Sequence, residues 1–318
     1  MNVWNLSVGV VLLLLTMNVT AEESRYSGLI LMPGDGLRVF DMASNQEVHH
    51  RIMNGNEYFL DGISKIDDTH LLVSFSDADS AGANWIYRLD LKSWKVAKLV
   101  KGRRPMALKG GNSFFFIAEN DEDGLPYLYL ASMDANPIAV TQIYQIDRNR
   151  LGFGYPLVQV SKGKAIASGP KGHSLEAYEI DINTLKYSPS PIGRCIPRVW
   201  FESGEQLLCG KGDLEYEQVF MFFRRQVSET TYFLTSLDGK ELKEWDAEHL
   251  SMDRADFDWP LHYIPEMDVL LIRRERTSIG YGGALYAYDM KRKKQTWLLN
   301  GYVGPAYTVW VNSSLSDQ

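Results

Sequence analysis

The chain has 318 residues, with 33 Lys+Arg against 40 Asp+Glu, a formal net charge of −7. A chain this acidic lacks the positive field that a phosphate backbone demands, which argues against a nucleic-acid partner. Its 45% hydrophobic content supports a packed core and excludes a disordered chain, and two cysteines are too few for a disulfide-rich scaffold or a Cys-based metal cluster.

Residues 1–21 carry no charged side chain, and Val8–Leu15 is an unbroken apolar run. That run is shorter than the ~20 residues of a membrane span. Val19-Thr20-Ala21 places small residues at the −3 and −1 positions of a cleavage site before Glu22. Residues 1–21 therefore read as a signal peptide and 22–318 as one mature, periplasmic or secreted domain. The leader lacks Lys or Arg, so an uncleaved N-terminal anchor is the alternative. No later stretch has the length and apolarity of a transmembrane segment.

Beyond the leader one template recurs: an apolar-aromatic strand, a turn opened by Asp, then a second strand. Leu37–Asp41, Trp85–Asp90, Leu175–Asp181 and Leu285–Asp289 are the clear copies, and Tyr127–Leu130 and Tyr232–Thr235 are weaker ones. The Asp suits the turn because its carboxylate accepts hydrogen bonds from the turn amides. A further strand pair precedes most of these hairpins, as in Ile63–Asp67 with Leu71–Ser76 and Leu261–Ile264 with Val269–Ile272. The unit is thus four short antiparallel strands, A to D, repeating at roughly 45 residues, the period of a β-propeller blade.

The predicted fold is all-β, a six-bladed β-propeller of four-stranded antiparallel blades. Five blades cover about 58–101, 104–143, 155–193, 196–246 and 257–300. Segment 27–52 supplies three strands and 305–312 the fourth, so a C-terminal strand closes the ring on the N-terminal three. Closure of this kind pairs edges that would otherwise be exposed. The repeat resembles the six-bladed TolB-like or WD40-like β-propeller superfamily over nearly all of the mature chain. The Ser-Pro-Asp-Gly turns of TolB-like repeats and the Gly-His and Trp-Asp signatures of WD40 repeats are absent. The resemblance therefore implies a fold and assigns no residue a role.

In such a ring the B–C and D–A connections share one face, and the long connections fall there, which predicts a binding surface on that face. The largest departure from the repeat is 210–230, whose centre is aromatic and whose flanks are charged. It reads either as an extended hairpin or flap, with Tyr216, Phe220 and Arg224 as contact residues, or as buried blade strands. Asp77 and Asp79, with Asp121 and Asp123 on the next blade, form a candidate acidic rim. Glu119–Gly124 resembles the start of a calcium loop, although Leu130 stands where the bidentate carboxylate belongs. Calcium at Asp121 and Asp123 is the one cofactor the sequence suggests, and a solvated acidic turn is the competing reading. His173, in a loop of the same face, and His262, near Asp256, Asp258 and Trp259, are the histidines placed for chemistry. Arg104, Arg198 and Arg273 are placed near the channel, where an anion or a salt bridge would engage them. Cys195 and Cys209 flank a hairpin turn at 202–205, and whether they share a face and form a disulfide depends on the length of that turn.

Two functions fit these features. The first is an exported binding or scaffold protein that engages an envelope or extracellular protein through its loop-rich face. The alternative is a propeller enzyme of hydrolase, lactonase or dehydrogenase type, acting on a small or carbohydrate substrate at the channel mouth with metal assistance. Glycan binding without turnover, through Trp259 and Tyr281 on the same loops, is a third.

Overall fold

The computed structural model describes residues 26–34, 36–50, 58–77, 84–146, 157–171, 174–219, 222–245, 256–276, 283–302 and 308–313. The first blade contributes β1 (Leu29–Gly34), β2 (Gly36–Asp41) and β3 (Gln46–His50). The second holds β4 (Tyr58–Lys65), β5 (His70–Asp77), β6 (Trp85–Asp90) and β7 (Lys95–Lys101). The third holds β8 (Arg103–Ala107), β9 (Ser113–Glu119), β10 (Pro126–Ser132) and β11 (Ala139–Gln145). The fourth holds β12 (Leu157–Ser161), β13 (Lys164–Lys171), β14 (Ser174–Asp181) and β15 (Tyr187–Pro189). The fifth holds β16 (Ile196–Phe201), β17 (Gln206–Val219), β18 (Phe222–Thr235) and β19 (Glu241–Glu244). The sixth holds β20 (Asp256–Ile264), β21 (Val269–Arg276), β22 (Gly283–Asp289) and β23 (Lys294–Tyr302), and β24 (Val309–Val311) follows.

Every blade is antiparallel, and β24 completes the first one in the order β24-β1-β2-β3. Its register pairs Leu29 with Val311, Ile30 with Trp310 and Leu31 with Val309. The closure expected from the sequence is the one observed.

The second strand of each blade explains the ring. In β1, Leu29 and Leu31 pack toward the second blade while Ile30 and Met32 pack toward the sixth. In β9, Phe115 and Ile117 face the fourth blade, and Phe114 and Phe116 face the second. In β21, Val269 and Leu271 face the first blade, and Leu270 and Ile272 face the fifth. Side chains alternate faces along a strand, so a strand apolar at every position needs a neighbour on both sides. The blade interfaces supply those neighbours, and the core is a series of wedges between blades.

The Asp-opened turns are as the repeat predicts. Asp90 Oδ1 accepts from the Lys92 and Ser93 amides at 2.8 and 2.9 Å, and Asp181 Oδ1 from Asn183 and Thr184 at 2.9 Å each. Asp41 does the same for Ala43 and Ser44, and Asp289 for Arg292. Four residues after each Asp the chain turns left-handed, at Asn45, Trp94, Leu185 and Lys293, with φ between 53 and 57°. A non-glycine residue in that region costs about 1–2 kcal/mol, which the capped turn amides offset.

A second regularity lies on the inner strands. Each inner strand of the second to sixth blades carries a one-residue bulge: after Leu60, between Arg103 and Met106, after Gln159, after Pro197 and after Pro260. Pro105, Pro197 and Pro260 stand at three of them, where the ladder is interrupted and a missing N–H matters least. In the second blade the residue after the bulge is Gly62, and a Cβ there would lie 2.9 Å from Arg104 Cα. The glycine therefore lets the inner strands of the second and third blades approach closely.

The bulge after Pro197 also decides the cysteines. The turn closes four residues, 202–205, between the paired Phe201 and Gln206. Alone, that register would set Cys195 and Cys209 on opposite faces. The extra residue, Arg198, shifts the register by one and returns them to the same face, where they form a disulfide with Cα atoms 5.2 Å apart.

The turn carboxylates make stability depend on acid. Hydrogen bonds from the Ser93 and Thr184 amides hold Asp90 and Asp181 below the usual carboxylate value. A carboxylate with a lowered folded-state pKa contributes stability that is fully present above its unfolded value, about 3.9, and is lost as pH falls through the folded one. The double variant Asp90→Asn/Asp181→Asn is expected to melt at lower temperature at neutral pH and to lose less stability on acidification than the wild type. Thermal melts between pH 7 and 2 check both expectations.

Candidate functional site

Inner strands β24, β4, β8, β12, β16 and β20 are the first strands of the blades, and neighbouring pairs adjoin around the channel. Across the one joint where their contact is sparse, the Lys109 amide donates to Gln159 Oε1 at 2.7 Å.

The sixth blade carries a polar cluster on its inner strand. Asp258 is fully buried and accepts a two-point contact from Arg274, its cross-strand partner, at 2.7 and 2.8 Å. Arg274 Nη2 also donates to Gln295 Oε1 at 2.9 Å, and its guanidinium lies 4.8 Å from the centre of the Tyr286 ring. The Tyr232 hydroxyl of the fifth blade donates to the Asp258 carbonyl at 3.0 Å. Asp258 is thereby a clamp that holds an inner strand to its own blade and to the neighbouring one. The next residue, Trp259, stacks beneath Arg198, whose guanidinium is 4.8 Å from the ring centre. Arg198 is the residue that the β16 bulge adds, so the irregular backbone and the cation–π pair have one origin.

His262 lies on the same strand, opposite Leu271. It keeps some accessible surface, but burial pushes its imidazole down to about 4, with the Lys65 ammonium adding to the effect. A group this weakly basic is neutral at pH 7 and poorly matched to general-base work, which favours a pKa near the working pH. Lys65 itself pairs with Asp68 at 2.6 Å and lies 5.0 Å from the Trp310 ring centre. Asp68 also accepts from the Asn312 amide at 2.9 Å, so this cluster sits at the ring closure.

The acidic turn after β9 is held together internally. Asn120 Oδ1 accepts from the Glu122 amide, Asp123 Oδ1 from the Leu125 amide and Asp123 Oδ2 from the Tyr127 hydroxyl, at 2.8, 2.8 and 2.7 Å. Asp121 is 93% exposed and faces Lys101 at 3.6 Å. Asp123 therefore serves as the internal brace of the turn. Among the described residues no group of three or more His, Cys, Asp or Glu is placed to hold a metal.

On the loop-rich face the fifth blade departs from the others. β17 and β18 each run for 14 residues and pair from Leu207–Thr235 to Val219–Phe222, with one register shift. The inner strand β16 stops pairing at Gly210 and the outer strand β19 at Phe233, so the rest is a two-stranded ribbon. At ~3.3 Å per residue the ribbon projects about 30 Å beyond the blade. A bulge between Lys211 and Gly212 marks where it leaves, and Asp213 pairs with Ser174 of β14, which joins the fourth and fifth blades into one sheet. Tyr216 is opposite Arg225 and Arg224 opposite Glu217, so the extended-hairpin geometry is the one observed. Phe220, together with Asp79, His173 and Tyr281, lies outside the described residues, and Asp77 ends β5 opposite Tyr58.

Sequence reasoning missed the Asp258–Arg274 clamp and the inner-strand bulges. The clamp was hidden by a bulge: counted from the turn at 265–268, Asp258 would face Glu275, and the extra residue after Pro260 brings it opposite Arg274 instead. The bulges were available as prolines in otherwise strand-like runs.

No family model matches the chain, and no curated protein matches its sequence. Solved structures do match its fold. TolB from Acinetobacter baumannii superposes with a TM-score of 0.59 at 12% identity, over 89% of this chain and 66% of that one. A protein of Agrobacterium tumefaciens described as a TolB gives 0.56 at 13% identity, over 91% of this chain and 100% of that one. A chain of the nidogen/laminin complex gives 0.56 at 9% identity, over 90% and 99%. The chain thus spans about two thirds of the length of the first of these and the whole of the other two.

Asp258→Ala leaves the Arg274 guanidinium without its buried carboxylate and is expected to cost about 3–5 kcal/mol, whereas Asp121→Ala, at an exposed site, is expected to stay within about 0.5 kcal/mol. Denaturant unfolding of the two variants checks the contrast. At these identities the likenesses establish architecture, and the chain has the six-bladed propeller fold of the TolB-like structures.

Proposed function

We propose that this chain is an exported, non-catalytic binding protein whose loop-rich face engages an envelope or extracellular protein. The β17–β18 ribbon carries the proposal. A two-stranded ribbon is at best marginally stable alone in water, and here it stands about 30 Å beyond its blade on a rigid base tied to the fourth blade through Asp213 and Ser174. Support from a partner surface would remove that instability. One structure of like fold is a protein–protein complex, the nidogen/laminin pair.

Export rests on the leader-like pattern of residues 1–21 and on the Cys195–Cys209 disulfide, which persists in an oxidising compartment. No helix among the described residues is long and apolar enough to cross a membrane. The destination proposed is the periplasm or the extracellular space.

The test places a photo-crosslinking amino acid at Tyr216 or Arg224 and repeats the experiment with residues 212–230 replaced by a two-residue turn carrying the crosslinker. Discrete adducts with one envelope protein are expected from the full ribbon and not from the shortened one. Identical adducts from both proteins would show that the ribbon is not the grip.

A further inference from the structure

Three arginines stand near the loop-rich end of the channel, and each is set there by a special feature of the backbone. Arg198 is the extra residue of the β16 bulge. Arg104 lies inside the β8 irregularity, in the left-handed region at φ 53°. Arg273 of β21 runs along Gly283 of β22, where a Cβ would fall 3.0 Å from Arg273 Nε and 3.3 Å from its Cγ. β8 and β16 begin at the loop-rich rim and β21 ends there, so each arginine is within three residues of a strand end on that rim. Bulges and left-handed non-glycine residues gather where a side chain is re-aimed for a task.

Two of these arginines meet one tryptophan. The Arg198 guanidinium lies 4.8 Å from the centre of the Trp259 ring. Arg273 is the cross-strand partner of Trp259, which brings their Cβ atoms to about 4.5–5.5 Å on one face of the sheet. The Nε atoms of Arg198 and Arg273 and the indole nitrogen of Trp259 are buried. Side chains from two blades thus bring together groups that only donate hydrogen bonds, since neither a guanidinium nor an indole N–H accepts one. Asp258, the acid next to Trp259, points to the opposite face and is bound to Arg274.

We propose that Arg198, Trp259 and Arg273 form an oxyanion site at the loop-rich mouth of the channel, which takes the carboxylate or phosphate group of a small organic anion. The ligand class follows from the donors. A planar guanidinium matches a carboxylate or a phosphate through two parallel N–H···O contacts. Packing over the Trp259 ring fixes Arg198 without consuming those donors. One oxyanion occupies two of the five N–H groups of a guanidinium, so the site is compatible with further contacts of the same arginines to the protein. In a wall shielded from water each such contact is stronger than at an open surface. Arg104 adds a third positive charge at the same end of the channel and draws anions toward it. The site needs neither the ribbon nor a protein partner, so it goes beyond the function proposed above and stands or falls independently of it.

The test is a titration followed by nuclear magnetic resonance. The full-length protein, isotope-labelled at its arginine and tryptophan nitrogens, is titrated at constant ionic strength with succinate, with inorganic phosphate and with neutral succinamide. The side-chain signals are assigned with Trp259→Phe, Arg198→Gln and Arg273→Gln. Succinate or phosphate is expected to shift the Arg198, Trp259 and Arg273 signals together and saturably, and the tighter of the two identifies the group the site takes. Succinamide is expected to shift none of them. Arg198→Gln and Arg273→Gln are each expected to weaken binding at least ten-fold. Arg292→Gln, at an exposed arginine of the turn after β22, is expected to leave it unchanged.

The wild-type signals alone decide the first question, whatever the variants do to folding. No saturable shift with either anion, equal shifts with succinamide, or shifts that fall on other arginines and leave these three signals unmoved overturns the proposal. So does equal weakening by Arg292→Gln, which would mean attraction to net charge rather than a site. Undiminished binding by an Arg198→Gln or Arg273→Gln protein that keeps the wild-type melting temperature overturns it as well. Where a glutamine variant unfolds, the lysine form takes its place, because Arg273→Lys keeps the charge and the stem and loses the planar fork. That form is also expected to bind at least ten-fold more weakly, and binding equal to the wild type would contradict the paired N–H contacts.

Discussion

The structure depends on strands that are buried on both faces. A sheet with one apolar face can rest on a helix or a second sheet and leave its other face in water. The central strands here have no polar face to leave exposed: Leu71, Leu72 and Val73 in β5 and Val269 to Ile272 in β21 are all fully buried. Each blade must therefore lie between two others, and the series must return to its start. That return is made by the three-residue strand β24, with Val309, Trp310 and Val311 all buried. Ladder hydrogen bonds contribute about 1 kcal/mol each, whereas burial of a large apolar side chain contributes about 1.5–3 kcal/mol, so packing rather than pairing dominates the clasp. The Trp310 indole N–H donates to the Ser27 carbonyl at 2.9 Å, and neighbouring Gly28, at φ +93°, has no room for a Cβ, which would fall 2.3 Å from that nitrogen. The glycine and the tryptophan are shaped to each other.

A ring constrained in this way is free to vary only where its walls and rims are not shared. The inner-strand bulges are one such place, and they set Arg198 over Trp259 and allow Cys195 to meet Cys209. The B–C hairpin of the fifth blade is a second, since its extension leaves the strand pairing within the blade in place and adds only the Asp213–Ser174 contact to the fourth blade. The outer edges are a third. The features that distinguish this chain from a plain propeller fall at these positions. On the inner strand β20, Asp258 is bound to Arg274, and burial lowers the basicity of the His262 imidazole.

Much of the architecture was legible in the residues. The Asp-opened turns recur because a carboxylate caps the same amides each time, and continuous apolar runs such as Phe114–Ile117 mark strands with two buried faces. The ring closure followed from one strand too few at the start and one too many at the end. What escaped was register. Whether Cys195 and Cys209 share a face rests on the single extra residue Arg198, and one residue inverts every side chain in a strand. The candidate site was less legible still. Asp258 and Trp259 look alike as polar and aromatic positions beside a histidine, yet one is a buried ion-pair partner and the other a platform for an arginine. Their difference lies in residues 16 and 61 positions away, which only the folded ring brings to them.

Native-state amide hydrogen exchange on the intact protein tests the dependence on closure most directly. If the clasp holds all six interfaces, the amides of β1 and β24 should exchange only through global unfolding, with the same free energy and denaturant dependence as those of β5, β9 and β21. Exchange of β24 and β1 through a local opening, at low cost and insensitive to denaturant, with the other central strands still fully protected, would show that the ring does not depend on its clasp.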